Sequence, residues 1–362
     1  RENGISALTE GFAAIASNDA KSARRLSAKA ESCLGKLPVT QLLSAHTSKL
    51  EGNIEQAKQE YNGMLEHKET EIIAIKGLLL QAREEGDIKK AIFLAEKAAA
   101  QAKNADWPIA ILIDLYKHNK DWDKLEATID VAISKKILNR KEAMHMLAVC
   151  SLAKASAQMK EGENDRAMGL ALSALKLMPD FVPAIVQIAR LHLTQNNSKQ
   201  AVKLIEKQWS RTHHPMLLSL YIEANSEESH LKTLQIAEKL NSKSIPQADN
   251  YMVLGRYAMR TGQLERAAEH FKESLQLQET QEAALLYAEL LRRQDASSDA
   301  INQAENRAIG AEKGPAWHCR TCAHTASSWN ATCPHCHSFD SLEWGRNNNA
   351  ATTTENTRLF IE

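Results

Sequence analysis

A small residue recurs along this chain at a nearly constant step. Ala23, Ala57, Ala91, Leu125, Ala167, Ala201, Leu234, Ala267 and Ala300 are separated by 34, 34, 34, 42, 34, 33, 33 and 33 residues. Most of them follow a short turn: Gly52-Asn53 precedes Ala57, Gly86-Asp87 precedes Ala91, Gly162 precedes Ala167, Asn196-Asn197 precedes Ala201 and Gly262 precedes Ala267. After the turn at Gly86-Asp87, Ala91, Ala95 and Ala98 follow at spacings of four and three, which places them on one helix face. A face of alanines is narrow, so a second helix can approach it closely. A unit of this length, made of helix, turn and helix, cannot bury its apolar face alone. It has to stack on its neighbours.

A period near 34 built from two helices is the tetratricopeptide signature. The copy ending at Ala267 matches it best. Tyr251, Leu254, Gly255 and Ala258 fall on its first helix, Gly262 in the turn, and Phe271 four residues after Ala267. In the Ala167 copy the closing proline is present as Pro179. The register holds from Ala23 to Ala300, which chance spacing does not do. The expected fold is therefore all-α: a right-handed tetratricopeptide-type solenoid of about nine helix pairs over residues 1–309, with residues 310–316 as a linker. Length alone would suggest two or three domains, but a stacked array needs no single deep core.

Local signals refine this plan. Thr40 is expected to cap the helix after Leu37-Pro38-Val39, and Asp106 the helix that opens with Trp107-Pro108. Asp121-Trp122 stands where other copies have Gly-Asn or Gly-Asp, and the two tryptophans read as packing anchors rather than a stacking site for a ligand. The step of 42 leaves eight extra residues near Ile137 to Met159. The helical pattern continues through them, so the first helix of that pair should be longer than its neighbours, by roughly 12 Å. A tolerated insertion is the plainer account of it, a partner site the sharper one. His213-His214-Pro215 invites a metal or haem-ligand reading. Adjacent residues point apart on a helix, however, so a turn or cap is expected. Cys33 and Cys150, alone in helical repeats, read as small buried hydrophobes.

One constellation carries chemistry. Cys319-Arg-Thr-Cys322 and Cys333-Pro-His-Cys336 are two C-x-x-C pairs ten residues apart. Each turn brings its two sulfurs to one side. Four thiolates in a tetrahedron suit zinc, with iron as the alternative. Trp317, Trp329, Phe339 and Trp344 would surround the site. Residues 317–345 are too few to hold together by burial alone, whereas zinc contributes about 10–16 kcal/mol in comparable small modules. A dithiol redox centre uses one C-x-x-C pair at a strand-to-helix junction of an α/β domain, and structural disulfides are the other competing arrangement. Four sulfurs leave no open coordination position, so a structural site is expected. His318, His324, His335 and His337 are expected to be exposed bystanders. Residues 346–362 are Asn- and Thr-rich without apolar periodicity and read as a disordered tail.

Other classes find little support. Lys plus Arg and Asp plus Glu both number 45, a balance that does not advertise a nucleic-acid surface. No run of about 18 apolar residues is present to span a bilayer. There is no dinucleotide or phosphate glycine motif, no H-E-x-x-H and no nucleophile elbow. The chain is thus not expected to be an enzyme.

The order of features resembles the HemY proteins of proteobacteria, in the form that ends in a zinc-ribbon or rubredoxin-like segment. The residues that carry the likeness are Gly77-Leu-Leu-Leu-Gln-Ala82-Arg-Glu-Glu-Gly86-Asp87, Asp106-Trp107-Pro108, Asp121-Trp122, Ala174-Leu-Lys-Leu-Met-Pro179-Asp-Phe-Val-Pro183-Ala184, Gln208-Trp209, His214-Pro215, Trp317-His-Cys319 and Phe339-Asp-Ser-Leu-Glu-Trp344. The resemblance marks residues 1 to about 135 as the HemY-like N-terminal region. It implies a non-enzymatic scaffold for haem-pathway enzymes. It also implies anchoring in the bacterial inner membrane by segments ahead of Arg1, with the soluble region on the cytoplasmic side. The architecture is also similar to the LapB type of adaptor, which controls lipopolysaccharide synthesis through a membrane protease. A direct haem or porphyrin carrier is a further alternative.

Overall fold

The computed structural model describes residues 1–346; the expected disordered tail lies, apart from Arg346, outside them. These residues form eighteen α-helices and a small three-stranded sheet. The chain divides into two compact units, the first Arg1–Asn139 and the second beginning at Arg140.

The first unit holds α1 (Glu2–Ala16), α2 (Ala20–Leu34), α3 (Pro38–Leu50), α4 (Ile54–Met64), α5 (Lys68–Glu84), α6 (Ile88–Gln101), α7 (Trp107–Asn119) and α8 (Trp122–Ser134). The second holds α9 (Arg140–Lys160), α10 (Asn164–Leu177), α11 (Val182–Thr194), α12 (Ser198–Trp209), α13 (Pro215–Ala224), α14 (His230–Asn241), α15 (Ala248–Arg260), α16 (Leu264–Leu277), α17 (Gln281–Arg293) and α18 (Ser298–Gly310). Each odd-numbered helix packs against the even-numbered helix that follows it. Nine pairs result, as the periodicity requires.

The turn inside the pairs is built by two recurring devices, the first of them present in every pair except α13–α14. The chain first enters the left-handed region, at Gly52, Gly86, Gly162 and Gly262 with φ between 73° and 83°. Glycine takes that conformation without the clash a Cβ would bring. Asn18, Lys120, Asn196 and Asp295 take it in other pairs. Then a polar side chain often caps the second helix. Asp19, Asn53, Asp87 and Asp121 accept from the backbone N–H of Ser22, Gln56, Lys90 and Lys124. Each bond satisfies a donor that the helix end would leave without a partner.

One turn into the second helix comes the recurring small residue. Ala23, Ala57, Ala91, Leu125, Ala167, Ala201 and Ala267 are all buried, and each donates its N–H to the carbonyl of the capping residue. Two copies depart from the expected phase by one residue. In α14 the N–H that bonds the cap, Ser229, belongs to Thr233 rather than Leu234. In α18 the N–H that bonds the Ser297 carbonyl belongs to Ile301, while that of Ala300 bonds the Ser297 hydroxyl. Their turns contain no glycine, and the small-residue count cannot register a one-residue shift there.

Close approach is acute at Gly255. A Cβ built there would stand 2.6 Å from the Phe271 ring of the partner helix, so the glycine and the aromatic are one interlocking pair. Gly77 meets the ring of Tyr61 in the same manner, at 2.5 Å.

Several local expectations need correcting. α3 is capped at Leu37; Thr40 lies inside the helix, where its hydroxyl oxygen accepts from the Leu37 N–H. Asp106 holds the cap position of α7 without a side-chain cap bond, and its carboxylate lies 3.8 Å from Lys135 Nζ. Cys150 is buried, but Cys33 is exposed, because α2 turns Ala23, Leu26, Ser27 and Ala30 inward instead. Trp107 is only half-buried, under the ammonium of Lys76 at 5.6 Å. α9, at 21 residues, is the longest helix of the described residues, and its extra turns have a contact described below.

Gly255→Ala should destabilise the second unit by about 1–3 kcal/mol through overpacking against Phe271. Gly169→Ala, on the exposed face of α10 with nothing within 4 Å of an added Cβ, should stabilise it by about 0.5–1 kcal/mol. Denaturant titration followed by circular dichroism measures both.

Candidate metal centre

After α18 the chain passes through Gly310 to Pro315 and folds into three strands, β1 (Ala316–Cys319), β2 (Thr325–Ala326) and β3 (Leu342–Gly345). The sheet is antiparallel in the order β2-β1-β3, with Trp317 opposite Trp344 and Cys319 opposite Leu342.

Two knuckles follow one local plan. Cys319 N–H donates to the His324 carbonyl at 2.8 Å, and Cys333 N–H to the Ser338 carbonyl at 2.9 Å. Ala323 N–H returns to the Cys319 carbonyl and His337 N–H to the Cys333 carbonyl. Ala323 and His337 both sit in the left-handed region, at φ of 58° and 60°. In each knuckle a backbone N–H also points at the first sulfur: Thr321 to Cys319 Sγ and His335 to Cys333 Sγ, both at 3.4 Å. The repetition follows from the repeated C-x-x-C spacing and aims both pairs at one point.

The four Sγ atoms of Cys319, Cys322, Cys333 and Cys336 lie within 4.8 Å of one another, and the cysteines are unpaired by disulfides. Cys319 and Cys336 sulfurs are 3.6 Å apart, Cys322 and Cys333 sulfurs 3.8 Å. Sulfurs bound at about 2.3 Å around a tetrahedral zinc are separated by about 3.8 Å. The donor set therefore fits one such ion. The charges agree. Burial pushes the Cys319 thiol up, but the hydroxyl of Ser341 and the N–H groups of Cys322 and Thr321 outweigh it and bring the group down to about 6. Burial and the neighbouring sulfurs push Cys322 up to about 12 and raise Cys333. A second and third negative charge in this space need a cation to compensate them. His335 and His337 are exposed and His318 and His324 half-buried, and none of the four belongs to the sulfur cluster.

The module is docked on the second unit, along the N-terminal parts of its odd-numbered helices. Trp329 meets Phe181 edge to face at 5.3 Å, and Ala331, Trp329 and Phe339 join the core formed by Ala148, Val149, Leu152 and Ala184. His145, in the added turns of α9, bonds Asp340. The length of α9 therefore has a use within the chain: it reaches the module. Protonated His145 is favoured by Asp340, which raises its pKa against the effect of burial. At the other end His214 stacks on Trp317, with ring centres 5.8 Å apart, and lies 4.7 Å from the Trp344 ring. Met216 joins the same cluster. Arg346 pairs with Glu312 at 2.6 Å, and Glu312 in turn accepts from the Gln281 N–H. The expected turn role of His214 holds: it caps α13, with Nδ1 accepting from the Met216 N–H. That bond fixes the proton on Nε2, which is buried without a partner among the described residues.

These features define an array of tetratricopeptide-like helix pairs with a four-cysteine module seated against it. Residues 248–281, which are α15 and α16, match the family model described as tetratricopeptide repeat. A relative described as probable magnetosome protein Mms48, from Magnetospirillum gryphiswaldense, is 24% identical over 212 residues, covering 55% of this chain and 47% of that protein. The match thus spans about half of that relative's length. A solved tetratricopeptide repeat protein from Parabacteroides merdae is similar at 14% identity and TM-score 0.36, over 86% of this chain and 100% of that one. A structure of Naa15/Naa10 bound to HypK-THB is similar at 11% identity and TM-score 0.43, over 84% of this chain and 63% of that one.

Burial brings the His214 pKa down to about 4. The unfolded chain therefore binds the proton first as pH falls, and stability is lost from about pH 6.5 down to about 4, by on the order of 3 kcal/mol. His214→Asn keeps a capping acceptor and removes the titration. The stability difference between the two proteins, in which cysteine protonation cancels, should change by that amount across the window when measured by denaturant titration at each pH.

Proposed function

We propose that this chain is a non-catalytic scaffold whose repeats bind other proteins and whose four cysteines hold one structural metal ion, zinc, with iron as the alternative. The observation that carries the reading is the sulfur cluster: four donors converge, backbone N–H groups face two of them, and together they fill every position of a tetrahedral ion. A closed ion of this kind folds a module and leaves no site for a substrate. Stacked helix pairs present extended faces of side chains, which suits recognition of a helix or an extended segment.

The finer assignment, a membrane-associated scaffold for haem-pathway enzymes, is supported by the HemY-like motifs quoted above. No helix of the described residues is long and apolar enough to cross a membrane. The shared plan of repeats followed by a four-cysteine end supports a second reading, an adaptor for a membrane protease that controls lipopolysaccharide synthesis. Elemental analysis of reduced protein should give about one zinc or iron per chain, and Cys333→Ser should abolish it. Crosslinking in intact membranes should then recover haem-pathway enzymes; recovery of a membrane protease favours the adaptor, and a metal-free protein overturns the structural centre.

A further inference from the structure

Where the module meets the repeats it leaves a cavity of about 600 Å³, lined in part by Pro215, Pro246, Asp249, Leu277, Trp344 and Arg346. A second, smaller one of about 190 Å³ adjoins it, and Pro215, Asp249, Pro315 and Trp344 line both. Asp249 thus stands at their junction. Its carboxylate has no hydrogen bond or ion pair among the described residues, whereas the nearby guanidiniums are engaged: Arg256 with Glu282 and Arg346 with Glu312. The group is costly as it stands. Burial pushes its pKa up to about 6, Glu282 adds to the rise and Arg346 opposes it. Three acids face two bases here, and the uncompensated charge sits beside an indole and three prolines, surfaces that suit the stem of a long cationic side chain.

The backbone suggests how such a side chain would be presented. β3 is hydrogen-bonded to β1 on one side only, and Trp344, Gly345 and Arg346 form part of the wall of the larger cavity. An extended segment laid beside β3 would run along that wall.

We propose that this cavity binds an extended peptide segment of a partner protein through a lysine or arginine side chain directed at Asp249. The inference deepens the scaffold reading and rests on it. The site is composite: the repeats supply the carboxylate and the module supplies the indole and the strand edge.

The test uses the full metal-loaded chain and two labelled peptides, Ser-Val-Thr-Lys-Val-Thr-Ser and the same sequence with glutamate in place of lysine. Fluorescence anisotropy should show saturable binding of the lysine peptide alone. Asp249→Asn should weaken it about tenfold or more, and Asp249→Glu should keep the preference for lysine. Circular dichroism and metal content confirm that each variant is folded. Equal binding of the two peptides, no binding of either, or no effect of Asp249→Asn would overturn the proposal. If these fail while membrane crosslinking still recovers partners, the scaffold reading stands and only this site falls.

Discussion

The distance at which two helices can pack depends on what lies between them. In six of the nine pairs the residue one turn into the second helix is alanine, and it is buried. Alanine contributes little apolar area by itself. It lets the backbones come close enough for many weak dispersion contacts to add up, and that is what stacks one pair on the next. Gly255 under the Phe271 ring and Gly77 under that of Tyr61 carry this furthest: no side chain at all faces an aromatic one. Aromatics make up only 5% of the chain, so stability here comes from closeness rather than bulk.

The four-cysteine module obeys a different constraint. A few short strands bury too little surface to fold unaided. Two things compensate. The sulfurs are placed for one ion, and the aromatic residues are divided between the module's own interior and the repeats. Trp317 is packed with Cys319, Cys333 and Leu342, Phe339 lies in the core built from α9, α10 and α11, and Trp329 packs on both. Docking thus supplies the apolar partners that so short a segment lacks. The same docking positions Trp344 and Arg346 beside Asp249, so the module closes part of the wall of the cavity there.

How much of this was legible in the sequence varies with range. The pairs were, because their period, turn glycines and capping acids are local and repeat. The convergence of Cys319, Cys322, Cys333 and Cys336 was, because a C-x-x-C turn dictates where its sulfurs go. The phase in α14 and α18 was not, since serine caps replace the glycine turns there and the small-residue pattern slips by one. Thr40 misled because a threonine before an apolar run resembles a cap, yet Pro38 starts the helix earlier. The seating of the module left only indirect traces: eight extra residues in α9 and more aromatics after Gly314 than a tiny core can hold. His145 with Asp340, and His214 with Trp317, are far apart along the chain, and no periodicity connects them.

The account depends on a metal-folded module that is clipped onto the odd-numbered helices of the second unit. Hydrogen–deuterium exchange with and without a chelator tests this most directly. Removing the metal should deprotect residues 316–345 together with the first turns of α11, α13 and α15, while α1 to α8 exchange as before. Exchange in the module that is indifferent to the chelator, or a deprotected module that leaves those first turns unchanged, would contradict it.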